Sequence, residues 1–271
     1  MPELPEVETT RSGIEPHVLD QTVVDTVVRQ PRLRWPIPRK LVKELTGNTI
    51  ESVSRRGKYL LLEAGDSTLI IHLGMSGSLR IVDPDTSAGT HDHVDIVFGN
   101  DKVLRFNDPR RFGCILWHKG NPEDHKLLRN LGPEPLQDVF DGEYLFAISR
   151  NKKAPVKTFI MDSKIVVGVG NIYANESLHL SGIHPVRKAG KISLQRYRTL
   201  ATNIKEVLSR AIKVGGTTLR DFTNSDGEPG YFRQSLFVYG RAGESCKNCG
   251  ASLKEVRISQ RSTVYCPVCQ R

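Results

Sequence analysis

The sequence predicts a multidomain α+β chain: an antiparallel β-sandwich with flanking helices first, a helical region second, a small cysteine-rich module last. Three observations carry this. Short runs rich in Val, Ile and Leu, broken by Gly, Asp and Pro, fill the chain up to about Lys119. Beyond Gly132-Pro133-Glu134-Pro135, which a helix does not easily cross, the apolar period becomes helical. From Cys246 onward the chain holds four of its five cysteines.

The elements follow in order. After the opening octet MPELPEVE, residues 7–14 read as a short helix ended by Gly13 and Pro16. Strands are expected at 22–29, 49–55, 59–63, 68–73, 78–82, 93–98, 102–106 and 112–118, with Gly99-Asn100-Asp101 as a hairpin signal. Helical interruptions are expected at 38–45 and 122–131. Past the Gly-Pro boundary, helices are expected at 142–150 and 172–180. A longer one starts after Ser193, a good N-cap, with Leu194, Tyr197, Leu200, Ala201, Ile204, Val207, Leu208, Ala211 and Ile212 on one stripe, and runs to Gly215-Gly216. The polar stretch 217–232 has the length of a functional loop.

Bulk composition sets the function classes. The chain has 271 residues, 38% hydrophobic and 25% charged, as an ordinary globular protein does. No apolar run approaches the ~18 residues of a membrane span, and no apolar segment follows the acidic N-terminus. The expected compartment is the cytoplasm, with no membrane partner. The net charge of +9 is unevenly placed: residues 1–150 hold 19 Lys and Arg against 22 Asp and Glu, whereas residues 151–271 hold 20 against 8. The second half therefore suits a polyanion, above all nucleic acid.

Cys246, Cys249, Cys266 and Cys269 form two C-x2-C knuckles around a hairpin-like stretch, KEVRISQRSTVY. Four thiolates at this spacing suit one tetrahedral, closed, structural Zn²⁺. The alternatives are two disulfides or redox-active pairs, which need an oxidising compartment or a thioredoxin-like context that the sequence lacks. Cys114, in FGCILW, reads as a core residue.

The octet admits two readings. Removal of Met1 before a small residue would leave Pro2 as a secondary amine, with on the order of a tenth neutral at pH 7. Such an amine can attack a sugar carbon and form a permanently cationic iminium, with Glu3 beside it as an acid. Equally, Pro2 and Pro5 stiffen a helix start, and Glu6 and Glu8 favour its positive end.

The blocks RGKYLLLE, HLGMSGSLR, HDHVD, DPRRFG, LGPEPL, VVGVGNIYANE, GGTTLRDF, SDGEPGYF and QRSTVYC run collinearly between that octet and the knuckles. Together they resemble the bacterial formamidopyrimidine-DNA glycosylase family. The resemblance implies an N-terminal β-sandwich at 1–131, a helix–two-turns–helix domain at 132–236 with a lesion-recognition loop at 217–232, and a zinc finger at 237–271. It implies excision of oxidised purines, 8-oxoguanine and formamidopyrimidines, from duplex DNA by base flipping, then AP lyase cleavage by β,δ-elimination. By motif, Pro2 becomes the Schiff-base nucleophile and Glu3 the acid on the deoxyribose. Lys58 becomes the proton donor for β-elimination, and Arg261 serves in δ-elimination and phosphate binding. Met75, Arg110 and Phe112 match the residues that fill the gap left by an extruded base. His91, Lys152 and Asn171 match DNA contacts, with Asn171 expected in a turn. Monomeric action is also implied. Read alone, Lys58 would be a surface charge beginning a strand, Met75 and Phe112 would be core residues, and His91 and His93 a weak metal pair.

Two rival readings remain at this point. One is the sister family resembling endonuclease VIII, which removes oxidised pyrimidines. The other is a non-catalytic zinc-ribbon protein that binds damaged DNA.

Overall fold

The runs of Val, Ile and Leu form strands because alternate residues find an apolar layer to face. The structure, a computed structural model, describes residues 2–216 and 236–271. Met1 and the 217–232 loop, to which lesion recognition was assigned above, lie outside the described residues. The chain folds as two compact units. The first holds residues up to Asn130 with Val214 to Gly216, and the second holds Leu131–Lys213 with the residues from Leu236 onward.

In the first unit, β1 (Val23–Val28), β6 (Asp92–Phe98), β7 (Val103–Asn107) and β5 (Ser78–Val82) make one sheet in that spatial order. The other runs β2 (Ser52–Arg56), β3 (Tyr59–Ala64), β4 (Ser67–His72) and β8 (Cys114–Lys119). Every pairing is antiparallel. Leu60, Leu62, Leu69, Ile71 and Ile115 of one sheet and Val94, Ile96, Leu104 and Phe106 of the other belong to one buried cluster. Each such side chain contributes about 1.5–3 kcal/mol when fully buried. Val7, Ile14 and Val18 of helix α1 (Leu4–Val18) join the same cluster.

Three helices of the first unit differ from expectation. α1 begins three residues earlier than predicted and runs through Pro16. Burial of Leu4 and Val18 rewards both extensions, and Pro16 near the C-terminus still leaves Leu19 N–H donating to the Glu15 carbonyl. Conversely, the predicted helix at 122–131 shrinks to one 3-10 turn, Pro122–Asp124, capped by the Asn121 side chain. None of the turn's own residues is buried, and in the rest of the segment Leu128 is the one fully buried residue, a single anchor where a helix would need an apolar stripe. α2 (Leu41–Leu45) is likewise shorter than foreseen.

The second unit carries α3 (Gly142–Ser149), α4 (Val156–Ile160), α5 (Asn171–Leu180) and α6 (Leu194–Lys213). Asp141 caps α3 by accepting from Tyr144 N–H at 2.7 Å. The α6 stripe is buried as its period requires, from Tyr197 through Leu200, Ile204 and Leu208 to Ala211. α4, five residues after Pro155, was not foreseen. β9 (Lys254–Ile258) and β10 (Arg261–Tyr265) form a hairpin over a small core of Val238, Leu253, Val264, Cys246 and Cys266. Among the described residues no helix is long and apolar enough to cross a membrane.

Candidate nucleic-acid site and metal centre

At the start of the first unit, Pro2 is buried and Glu3 is 2% exposed. Glu3 sits at the N-cap of α1, and its N–H donates to Glu6 Oε2 at 2.8 Å. Pro5 in the first turn needs no partner for an N–H it lacks. The octet's prolines and acids thus cap and stiffen a helix.

Lys58 lies in the two-residue turn that joins β2 to β3, directly before the strand, which starts at Tyr59 as expected. Gly57 adopts φ 59° at the first turn position, where any side chain would be strained. The turn is tied back to α1: Arg55 Nε donates to Glu8 Oε2 at 2.9 Å, and Arg55 Nη1 to the Gly57 carbonyl at 2.8 Å. Burial alone would raise the Glu8 carboxyl, but hydrogen bonds from Arg11 and Arg55 hold it below the usual range. Beside the turn, Tyr59 pairs with His72 across the sheet, with ring centroids 4.8 Å apart. Burial, and after it the charges of Lys58 and Arg34, push the His72 imidazole down to about 4. It is therefore neutral at pH 7, and its Nδ1 accepts from Gly74 N–H at 2.9 Å.

Met75 and Phe112 are not core residues. They are 38% and 45% exposed, and the Arg110 guanidinium lies 4.8 Å from the Phe112 ring. Their two loops touch through backbone: a Cβ on Gly74, whose φ is +68°, would fall 2.4 Å from Gly113 N and 2.5 Å from the Phe112 carbonyl carbon. His91 is exposed in the turn before β6. Its neighbour His93 is buried, with Nε2 2.8 Å from the Asp108 carbonyl oxygen, so that ring is engaged in holding the fold. Cys114 is buried, and burial pushes its thiol up to about 11.

The second unit collects the remaining residues. Lys152, exposed between α3 and α4, and Arg261, at the start of β10, line one cavity of about 450 Å³ with Lys157, Thr158 and Met161. Ser259 and Gln260, both left-handed, turn the hairpin so that Arg261 follows its tip. Asn171 is the first residue of α5, where a turn was expected, because Gly170 caps the helix one residue earlier. Its Nδ2 donates to the Ser262 carbonyl at 3.1 Å. Lys157, 1% exposed, donates to Thr263 Oγ1 at 2.6 Å and to the same Ser262 carbonyl. Glu176, 2% exposed, accepts three backbone N–H groups, from Phe237, Val238 and Tyr239, at 2.7–2.9 Å. Lys157 and Glu176 hold the finger to the helices, and sequence reading missed both. The available signal was a lysine and an acid on faces otherwise apolar.

The four knuckle sulphurs lie within 4.8 Å of one another, with Cys249 and Cys266 at 3.4 Å and Cys246 and Cys269 at 4.0 Å. Tetrahedral Zn–S bonds of about 2.3 Å require sulphurs about 3.8 Å apart, which these distances bracket. None of the five thiols is in a disulfide. The set fits one structural Zn²⁺.

Comparison with known proteins agrees along the whole chain. Residues 1–115 match the family described as Formamidopyrimidine-DNA glycosylase N-terminal domain, residues 131–223 its H2TH domain, and residues 243–271 the zinc finger found in FPG and IleRS. The formamidopyrimidine-DNA glycosylase of Marinobacter nauticus is 61% identical, with all of both chains covered. A crystal complex of a Lactococcus lactis FPG mutant with a Fapy-dG containing DNA is similar at TM-score 0.92 and 36% identity, again over both whole chains. A MutM complex with carbocyclic 8-oxo-G containing DNA is similar at TM-score 0.91 and 35% identity, over the same full coverage.

Proposed function

The chain belongs to the formamidopyrimidine-DNA glycosylase family, and on that premise we propose how its own residues carry out the reaction. It is a base excision repair enzyme that removes oxidised purines from DNA and acts as glycosylase and AP lyase. The four cysteines hold one structural zinc, which takes part in no chemical step.

The chemistry begins at Pro2. Its secondary amine attacks C1′ of the damaged nucleotide, the glycosidic bond breaks, and the base leaves. Glu3 protonates the ring oxygen, and the opened sugar becomes an iminium on the proline nitrogen. That cation acidifies the C2′ hydrogen, whose loss expels the 3′ phosphate; a second elimination expels the 5′ phosphate. Lys58 serves proton transfer in the β step, and Arg261 serves the δ step and binds phosphate. Met75, Arg110 and Phe112 occupy the gap left by the extruded base, and His91, Lys152 and Asn171 bind the DNA backbone.

The observation that supports this reading most is the helix start, where Glu3 is fixed by Glu6 directly after a buried Pro2. Residues 1–131, 132–236 and 237–271 serve as sandwich, helix–two-turns–helix and finger domains, with the 217–232 loop meeting the lesion. The enzyme works as a monomer in the bacterial cytoplasm. A competition assay with 8-oxoguanine:C and thymine-glycol duplexes tests the substrate class. Dominant excision of 8-oxoguanine is expected, and dominant excision of thymine glycol would move the chain to the pyrimidine-specific sister activity.

A further inference from the structure

We infer that Asp108 is the positioning residue that holds the Met75, Phe112 and His91 segments in one fixed arrangement, and this rests on reading those residues as DNA contacts. Asp108 is fully buried, and its hydrogen bonds run to three separate segments. Oδ1 accepts from the Ser76 hydroxyl at 2.8 Å, directly after Met75. Oδ2 accepts from Gly113 N–H at 2.8 Å, directly after Phe112. Its own N–H donates to the His91 carbonyl at 3.0 Å, and its carbonyl oxygen lies 2.8 Å from His93 Nε2. The Ser76 hydroxyl oxygen in turn accepts from Arg110 N–H at 3.3 Å. One residue thereby joins the Met75 and Phe112 segments through its carboxyl group and the His91 segment through its backbone.

The need for such a device follows from the exposure of Met75 and Phe112. Neither is embedded in the core, so the direction of each depends largely on the backbone of its loop. Arg111, between Arg110 and Phe112, adopts φ 55°, a conformation unfavourable for arginine that its N–H bond to the Asp108 carbonyl helps to hold. Side chains that must enter a base stack act only if they are already in place when the base leaves, because a wedge that yields transmits nothing. A carboxyl group buried among these loops supplies that stiffness, and leaving its partners unsatisfied is costly.

The test compares two substrates. Excision of 8-oxoguanine from a duplex requires extrusion and gap filling, whereas cutting a preformed abasic site in a single strand requires neither. Asp108→Ala is expected to lower duplex excision about tenfold or more, the scale set by orphaned buried donors, and to leave single-strand cutting within about twofold. Ser76→Ala should show the same selectivity with a smaller loss. Asp108→Asn should restore duplex excision, since its amide oxygen can accept from Gly113 N–H while its NH₂ donates to Ser76 Oγ. Thermal unfolding checks each variant; should Asp108→Ala fail to fold, Ser76→Ala and Asp108→Asn carry the comparison. Equal losses on both substrates, or an Asn variant as impaired as Ala, would overturn the inference and leave Asp108 as a folding residue. Met75→Ala is the control. If it lowers duplex excision while Asp108→Ala and Ser76→Ala do not, the inference alone is wrong. If Met75→Ala itself has no effect, the reading of Met75 as a wedge fails and takes the inference with it.

Discussion

Burial first, and then the charges of Lys58 and Arg34, make a histidine resist protonation, and His72 is held down at about 4 in consequence. Its folded value lies below the ordinary 6.5, so the unfolded chain binds the extra proton more readily as pH falls. The stability that neutral His72 contributes is present above pH 6.5 and is lost as pH falls toward 4. The loss is on the order of 3 kcal/mol. Thermal melts of the native chain and of His72→Gln between pH 7 and 4 should show the steeper decline in the native chain; parallel curves would refute the assignment. Single residues also mark the limit of what sequence reveals. The roles proposed for Pro2, Glu3 and the knuckle cysteines were legible because they rest on adjacent letters or fixed spacings. Asp108 does not, because its partners Ser76, His91 and Gly113 come together only when separate loops fold.

Elements built on apolar period were foreseen best: β5 matches residue for residue, and the α6 stripe is buried from Tyr197 to Ala211, with its end positions Leu194 and Ile212 half-buried. Ends fixed by packing were not, as α1 and the lost 122–131 helix demonstrate, since burial of Leu4 or the lack of any apolar face at Pro122–Asp124 is decided by distant chain. The finger shows the same division. Its metal ligands were legible from spacing, while its attachment through Glu176 and Lys157 depends on contacts 61 to 106 residues apart. Because Glu176 satisfies three backbone N–H groups, Glu176→Ala should destabilise the second unit by about 3 kcal/mol or more. The finger should then lose zinc to a chelator faster than in the native chain, with the β-sandwich still melting normally. Unchanged zinc release, followed with a colorimetric metal indicator, would show that the attachment lies elsewhere. In the native chain, full chelation should unfold the finger and weaken DNA binding, because so small a core cannot fold without its metal.

Over the whole molecule, positive charge is concentrated in the second half of the sequence, with 20 Lys and Arg against 8 Asp and Glu over residues 151–271. That half holds Lys152, Asn171 and Arg261, three of the residues proposed above to meet the DNA backbone. Affinity for duplex DNA should therefore fall steeply with salt, by a slope of about 0.9 per phosphate neutralised. Lys152→Ala should weaken binding alike for damaged and undamaged duplexes and reduce that slope by about one, measured by fluorescence anisotropy across a salt series. A lesion-selective loss at constant slope would argue that Lys152 touches the damaged base instead of the backbone. The reaction itself turns on whether the Pro2 nitrogen opens the sugar. The most direct measurement is borohydride reduction during turnover of an 8-oxoguanine duplex, followed by digestion and mass spectrometry of the adduct. The account predicts that the sugar remnant sits on the peptide that begins with Pro2 and that Pro2→Gly sharply reduces its yield. An adduct on the Lys58 peptide, or full trapping by chains still carrying Met1, would contradict it.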